Sequence, residues 1–154
     1  PDFIYVGLAR ALGLKSEWET APQSHHFTLP ETTLGELATM CQQRLGDKAL
    51  RVVGDPKTKV SRLQLGVGYA TPSINSSDVD VVVSGEQQET DGFLDSPAYV
   101  LDATTLGIPK GWIMLGHNIS EEQGMLEMAD WIKSFTPEVP VQLVRSGEPF
   151  WAPK

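Results

Sequence analysis

The chain has one cysteine, Cys41, among 154 residues. A lone thiol closes no internal disulfide, which suits a reducing compartment and places the protein in the cytoplasm. Cys41 falls in the helical pattern TLGELATMCQQRLG, where a free cysteine serves as a small apolar packing group. The sequence also lacks a basic stripe. Its 12 lysines and arginines are scattered among 20 acids, for a net charge of −8. A nucleic-acid partner is therefore not expected, and the acidic surface favours solubility and cations. No apolar run reaches the length of a membrane span, and no signal peptide is visible. GxSxG, P-loop, HExxH and CxxC motifs are all missing. What remains is an ordinary globular composition, 40% hydrophobic and 21% charged, long enough for one domain with its own core.

Periodicity divides the chain into elements. FIYVGLARALGL (3–14) has helical spacing and stops at Gly13. KSEWETAPQSHHFTLPE (15–31) is polar, contains two prolines and reads as a loop or an extended connection. Its adjacent pair His25-His26 is expected to face solvent. TTLGELATMCQQRLG (32–46) predicts a helix capped by Thr32 or Thr33 and stopped by Gly46. ALRVVG (49–54), VSRLQLGVG (60–68), VDVVVSG (79–85), GWIML (111–115) and VPVQLV (140–145) read as strands. SPAYVLDATTLG (96–107) predicts a helix with Ser96 as N-cap and Pro97 at the first position. SEEQGMLEMADWIKSF (120–135) predicts another, with Ser120 as N-cap, Gln123 completing a capping box, and Met125, Met128, Trp131 and Ile132 on its core face. Strands alternate with helices in the later part. The fold class is α/β: a mixed sheet of about five strands flanked by helices, in one domain over 1–154.

Sites in open α/β sheets form beyond the carboxyl ends of the strands, and three such ends are unusual. GHNISEE (116–122) follows the strand WIML. Glu121 and Glu122 have a structural explanation, since acids favour the first turn of a helix. His117 is less easily explained. It stands four residues before Glu121, a spacing that lets an imidazole nitrogen and a carboxylate oxygen converge on one zinc, iron or manganese ion. The alternative is a histidine that only hydrogen-bonds its neighbours. VVVSGEQQETD (81–91) places Glu86, Glu89 and Asp91 after a buried strand, either as a solvated loop or as ligands or general bases near His117. LQLGVG (63–68) ends a strand in GxG and reads as a tight turn.

Taken in order, LPETTLGELA, LRVVGDP, VSRLQLGVG, DVDVVVSGE, WIMLGHNISEE and the closing EPFW resemble the C-terminal portion of the Nif-three-like proteins. These are also called dinuclear metal centre hexameric proteins or GTP cyclohydrolase I type 2 homologues. The resemblance covers nearly the whole chain, and GHxx[ST]E at 116–121 is its most specific motif. It implies an α/β fold, a toroidal homo-hexamer, and two divalent metal ions per site, with His117 and Glu121 among the ligands. A bridging carboxylate would hold the ions roughly 3.5–4 Å apart. Glu86 and Asp91 then become candidate proton acceptors for a metal-dependent hydrolase acting on a nucleotide or other phosphate-bearing small molecule. A non-enzymatic metal-binding or regulatory scaffold is the alternative. A plain interaction domain ranks third. The family's His-His pair and aspartate, which precede a helix resembling 3–13, have no counterpart here. The expectation is therefore the C-terminal part of a longer chain. The family's Tyr-His-Asp after the glutamate of SGE reads Glu89-Thr90-Asp91, matching only at the aspartate.

Overall fold

An apolar run with no polar alternation must be covered on both faces, and VDVVVSG is such a run. The computed structural model describes residues 2–14, 25–70, 72–89, 96–151 and 153, and places this run at the centre of a five-stranded sheet. The elements are α1 (Phe3–Ala11), β1 (His26–Thr33), α2 (Leu34–Leu45), β2 (Arg51–Val53), β3 (Lys59–Leu65), β4 (Val81–Ser84), α3 (Pro97–Thr105), β5 (Gly111–Met114) and α4 (His117–Lys133). The strand order is β1-β3-β4-β5-β2. The inner strands β3, β4 and β5 are parallel, with Val82 opposite Gln64 on one side and Trp112 on the other. The outer strands β1 and β2 run antiparallel to them. The sheet is thus mixed, as the alternation of strands and helices predicts.

The pleat sends successive residues to opposite faces. Val81, Val83, Ile113 and Leu115 join a core with α1, α2 and the start of α4. Val82, Trp112 and Met114 join a smaller core with Val100 of α3. Trp112 is fully buried, and its indole N–H donates to Ser84 Oγ at 2.8 Å, so its burial leaves no polar atom unsatisfied.

Four expectations are corrected. The loop or extended connection read over 15–31 ends in a paired strand: β1 pairs with β3, and Pro30 sits where the register shifts between Thr28 and Thr32, the irregular edge position that tolerates proline. VPVQLV is not a strand among the described residues. Val141 and Leu143 alternate inward, but this segment pairs with neither sheet edge. Helix α4 begins at His117, three residues before the expected start. Gly116 is its N-cap at φ 86°, which glycine adopts without a Cβ clash. Finally, Met125, Met128 and Trp131 are exposed. The buried residues of α4 are Ile119, Ser120, Glu122, Gly124 and Ala129. The cause is a close helix crossing. A Cβ on Gly7 would overlap the Gln123 backbone, and one on Gly124 would overlap Ile4, so α1 docks on the small-residue face of α4.

The helix over 34–45 is as expected. Thr33 and Glu36 form a reciprocal capping box, and Gly46 ends the helix at φ 65°. No helix among the described residues is long and apolar enough to cross a membrane.

Candidate functional site

Because β3, β4 and β5 are parallel, their carboxyl ends meet at one edge. Gly66-Val67-Gly68, Gly85-Glu86 and Gly116-His117 come together there. Backbone hydrogen bonds tie the three segments: Gly66 N to Val83 O, Glu86 N to Gly68 O, Leu115 N to Ser84 O and Gly116 N to Gly85 O, each at 2.8 Å. Ser120 adds a side-chain link. It is buried, accepts the Gly68 N–H at 2.9 Å and donates to His117 O at 2.7 Å. A Cβ on Gly85 would overlap Gly68 O and lie 2.5 Å from Ser120 Oγ. Glycine at 85 is therefore what lets the strand ends touch. Ser120 is not the helix cap that its sequence position suggests but a spacer between α4 and the β3 turn.

This framework holds three functional candidates together. His117 Nδ1 lies 3.3 Å from Glu86 Oε1, and His117 Nε2 lies 3.2 Å from Glu121 Oε1. The His117–Glu121 pair spans one turn of α4, so the helix itself brings the two side chains together. Gly68 lies against the pair. A Cβ there would overlap Glu121 Oε1 and approach His117 Nε2 to 3.1 Å. The side chains are 44%, 52% and 39% exposed for His117, Glu86 and Glu121, so their attraction in water contributes little stability.

The chemistry of the trio follows from lone pairs. A neutral imidazole has one N–H and one lone pair. Both ring nitrogens of His117 face carboxylate oxygens. If Nδ1–H donates to Glu86, the Nε2 lone pair points at the oxygen of Glu121. A cation between the two atoms would make that arrangement favourable.

A cavity of about 550 Å³ opens beside His117 and Glu86. Its lining also draws on two segments to which the sequence reading gave no place in the site. The loop after α2 contributes Lys48, and the start of β2 contributes Arg51. The C-terminal stretch contributes Glu148, Phe150 and Trp151. Arg51 pairs with Glu89 at 2.9 Å. Asp47 is buried, and its Oδ2 has no hydrogen-bond partner among the described residues. Burial and the charge of Glu148 push its carboxyl above the usual aspartate range, against the opposing Ala49 N–H bond.

The other candidates lie elsewhere. Asp91 is outside the described residues. His25 is not solvent-facing as expected, because it stacks on Tyr5 at 3.6 Å between ring centroids, and burial lowers its pKa. His26 is exposed, 3.9 Å from Asp78. Burial pushes the Cys41 thiol up to about 12, which leaves it inert.

No protein-family model matches the chain, and neither does any curated protein. Solved structures do match it. A Staphylococcus aureus hypothetical protein aligns with TM-score 0.69 and 14% identity over 98% of this chain and 64% of its own. The protein ybgI, of unknown function, aligns with TM-score 0.72 and 23% identity over 96% and 57%. A Bacillus cereus protein related to NIF3 aligns with TM-score 0.58 and 24% identity over 82% and 35%. At these identities the likeness is one of fold: the chain has the Nif-three-like α/β fold. It spans less than two thirds of the length of each of these three structures.

Proposed function

We propose that His117 and Glu121 form part of a divalent-metal site of the two-ion kind, serving a metal-dependent hydrolase of nucleotide or phosphate-bearing substrates. One observation carries this reading. One imidazole nitrogen lies 3.2 Å from a Glu121 carboxylate oxygen, and the other lies 3.3 Å from one of Glu86. A cation between the two atoms resolves the opposition, and imidazole with carboxylate suits zinc, iron or manganese. The glycine at 68 supports the same reading, since any side chain there would fill the space in front of the pair.

The residues fit such an ion as part of its coordination shell. Among the described residues no group of three or more His, Cys, Asp or Glu side chains could hold a metal, and sites normally need at least three protein ligands. We assign the remaining ligands to another copy in a homo-oligomer, a hexamer by the family resemblance, or to residues outside those described. When bound, the ions would supply a water acidified for nucleophilic attack. Glu86 orients His117 through Nδ1, as carboxylates do for metal-bound histidines. It is also the candidate proton acceptor on the cavity wall, with Asp91 the second. A cytoplasmic location belongs to the same proposal.

Elemental mass spectrometry of the purified chain beside His117→Ala is the test. Near-stoichiometric metal that disappears in the variant is expected, and equal metal in both would overturn the site. Turnover of phosphoesters and nucleotides by metal-loaded protein tests the hydrolase. The engagement of Glu86 by His117 also favours a second reading, a metal-binding scaffold without catalysis. Under that reading the loaded protein shows no turnover above its metal-free control.

A further inference from the structure

We infer that the cavity beside His117 takes an alkylated ammonium group, which meets the carboxylates of Glu86 and Glu148 and the rings of Phe150 and Trp151. The last three of these residues lie on a C-terminal strap, residues 145–151. The inference goes beyond the proposed function, because it requires no metal. One ligand can satisfy both, with a phosphate toward the ion and the ammonium toward the strap.

The strap has no regular secondary structure, yet it is held in place. Glu122, buried on α4, accepts from Arg145 Nη1 at 2.9 Å and from Gly147 N at 3.2 Å. Asn118 Nδ2 donates to Gly147 O at 3.4 Å. This grip brings Glu148 to the amino end of α4, where a Cβ on Gly116 would lie 2.8 Å from Glu148 Oε2. Glu86 reaches the next residue, its Oε1 lying 3.3 Å from His117 Nδ1. Two carboxylates from distant parts of the chain therefore bracket Gly116 and His117 on the wall of one cavity. Phe150 N donates to Glu148 Oε1 at 2.8 Å, a local turn that leaves Phe150 and Trp151 lining the same cavity.

Charge decides what this wall takes. A backbone N–H and a neutral imidazole give Glu148 and Glu86 hydrogen bonds but cancel neither charge. The Arg51 guanidinium is matched by Glu89 at 2.9 Å. Lys48 is exposed, and among the described residues it has no acid within ion-pair distance, so its flexible stem leaves the ammonium in water. Its neighbour Asp47 is buried with one oxygen lacking a donor among the described residues, and burial together with the charge of Glu148 raises that carboxyl against the Ala49 N–H bond. The local excess is acidic, as is the chain with its net charge of −8. The rest of the wall selects among cations. Phe150 and Trp151 are 72% and 80% exposed, and Met114, almost fully buried, presents a polarisable thioether. Aromatic faces attract cations through the ring quadrupole, and alkylated ammonium heads offer them apolar methyl groups as well as charge. A neutral apolar molecule would leave the carboxylates unmatched, and a bare metal ion would leave the rings in water.

The experiment is calorimetric titration of the chelator-treated chain with choline and with its uncharged isostere, the alcohol in which carbon replaces the quaternary nitrogen. Choline should bind about tenfold tighter, the scale of a partly desolvated cation over aromatic rings. Phe150→Leu with Trp151→Leu keeps apolar surface but removes the ring faces. It should cost choline most of that advantage and leave the isostere unchanged. Glu148→Gln should also weaken choline alone. Equal affinity for the two compounds, or binding of neither, overturns the inference. So does a leucine variant that holds choline as tightly as the wild type. Should the leucine variant change the oligomeric state by light scattering, Glu148→Gln decides: lost preference for choline upholds the inference, and retained preference overturns it. The metal site stands or falls separately, on the elemental analysis of His117→Ala.

Discussion

The two ends of the parallel strands handle charge in opposite ways. At the amino end, Asp80 accepts from Ser61 N at 3.0 Å, Arg62 N at 2.9 Å and Arg62 Nε at 3.0 Å. Lys110, buried, donates to Ser76 O at 2.7 Å and to Val79 O. Each charge meets complementary partners, and the cluster ties β3, β4 and β5 together. At the carboxyl end, Glu86 and Glu121 face one imidazole, and among the described residues Lys48 has no acid within ion-pair distance and one oxygen of Asp47 has no donor. Satisfied polar groups are what structure needs. Incompletely satisfied ones, set around a cavity, are what a ligand needs.

Breaking the glycine contact should have the largest effect. Gly85→Ala drives a Cβ into Gly68 O and Ser120 Oγ. We expect a loss of about 3 kcal/mol in urea unfolding, typical of overpacking against backbone, together with loss of the His117 geometry. Asp80→Ala comes next, at about 2 kcal/mol at neutral pH, because it strips two backbone N–H groups and Arg62 of their acceptor. Its pH dependence has a definite sign. Burial alone would raise the Asp80 carboxyl, but Arg62 and the two backbone donors outweigh it and hold it below the ordinary value. The group therefore stabilises the fold above the ordinary aspartate pKa of about 3.9, and that contribution is lost as pH falls through its depressed value. Acid unfolding of the wild type should show this loss, and Asp80→Ala should not.

His117→Ala should move stability by less than about 1 kcal/mol, since its pairs are half-exposed. A larger loss would make the trio structural and erase the contrast between the two ends. The smallest effect belongs to Asp47→Asn. The Asp47 carboxyl is raised by burial, so the folded state holds its proton to higher pH than the unfolded chain. Stability then falls as pH rises from the ordinary aspartate value through the raised one. The amide retains the acceptor for the Ala49 N–H, and should flatten that slope in thermal melts across mildly acidic pH while changing little else.

Some of this was legible from residues alone. The apolar runs at 79–85 and 111–115 could only be buried strands. Thr32 or Thr33 before an apolar helical pattern and Pro97 after Ser96 marked helix starts by local chemistry. The pair His117 and Glu121 stood out because a four-residue spacing is a local property. Misreadings occurred where distant partners decided. The chain over 26–33 is a strand because β3 offers an edge to pair with. The segment 140–145 has the alternation of a strand but is not paired with a sheet edge. Ser120 looks like a cap and acts as a spacer because Gly68 arrives from another strand. Met125, Met128 and Trp131 have core spacing, but the small residues of α1 and α4 rotate them outward.

The sequence by itself therefore determined the α/β class, the glycine-punctuated strand ends and the metal-type residues at 117 and 121, since each depends on neighbours within a few positions. Only the tertiary structure decided that Glu86 meets His117, that Gly68 leaves space before Glu121, and that Glu122 pins the strap carrying Phe150 and Trp151. These contacts join residues far apart in the chain. Parallel strand order and the close crossing of α1 on α4 bring them together, and neither leaves a local mark in the sequence.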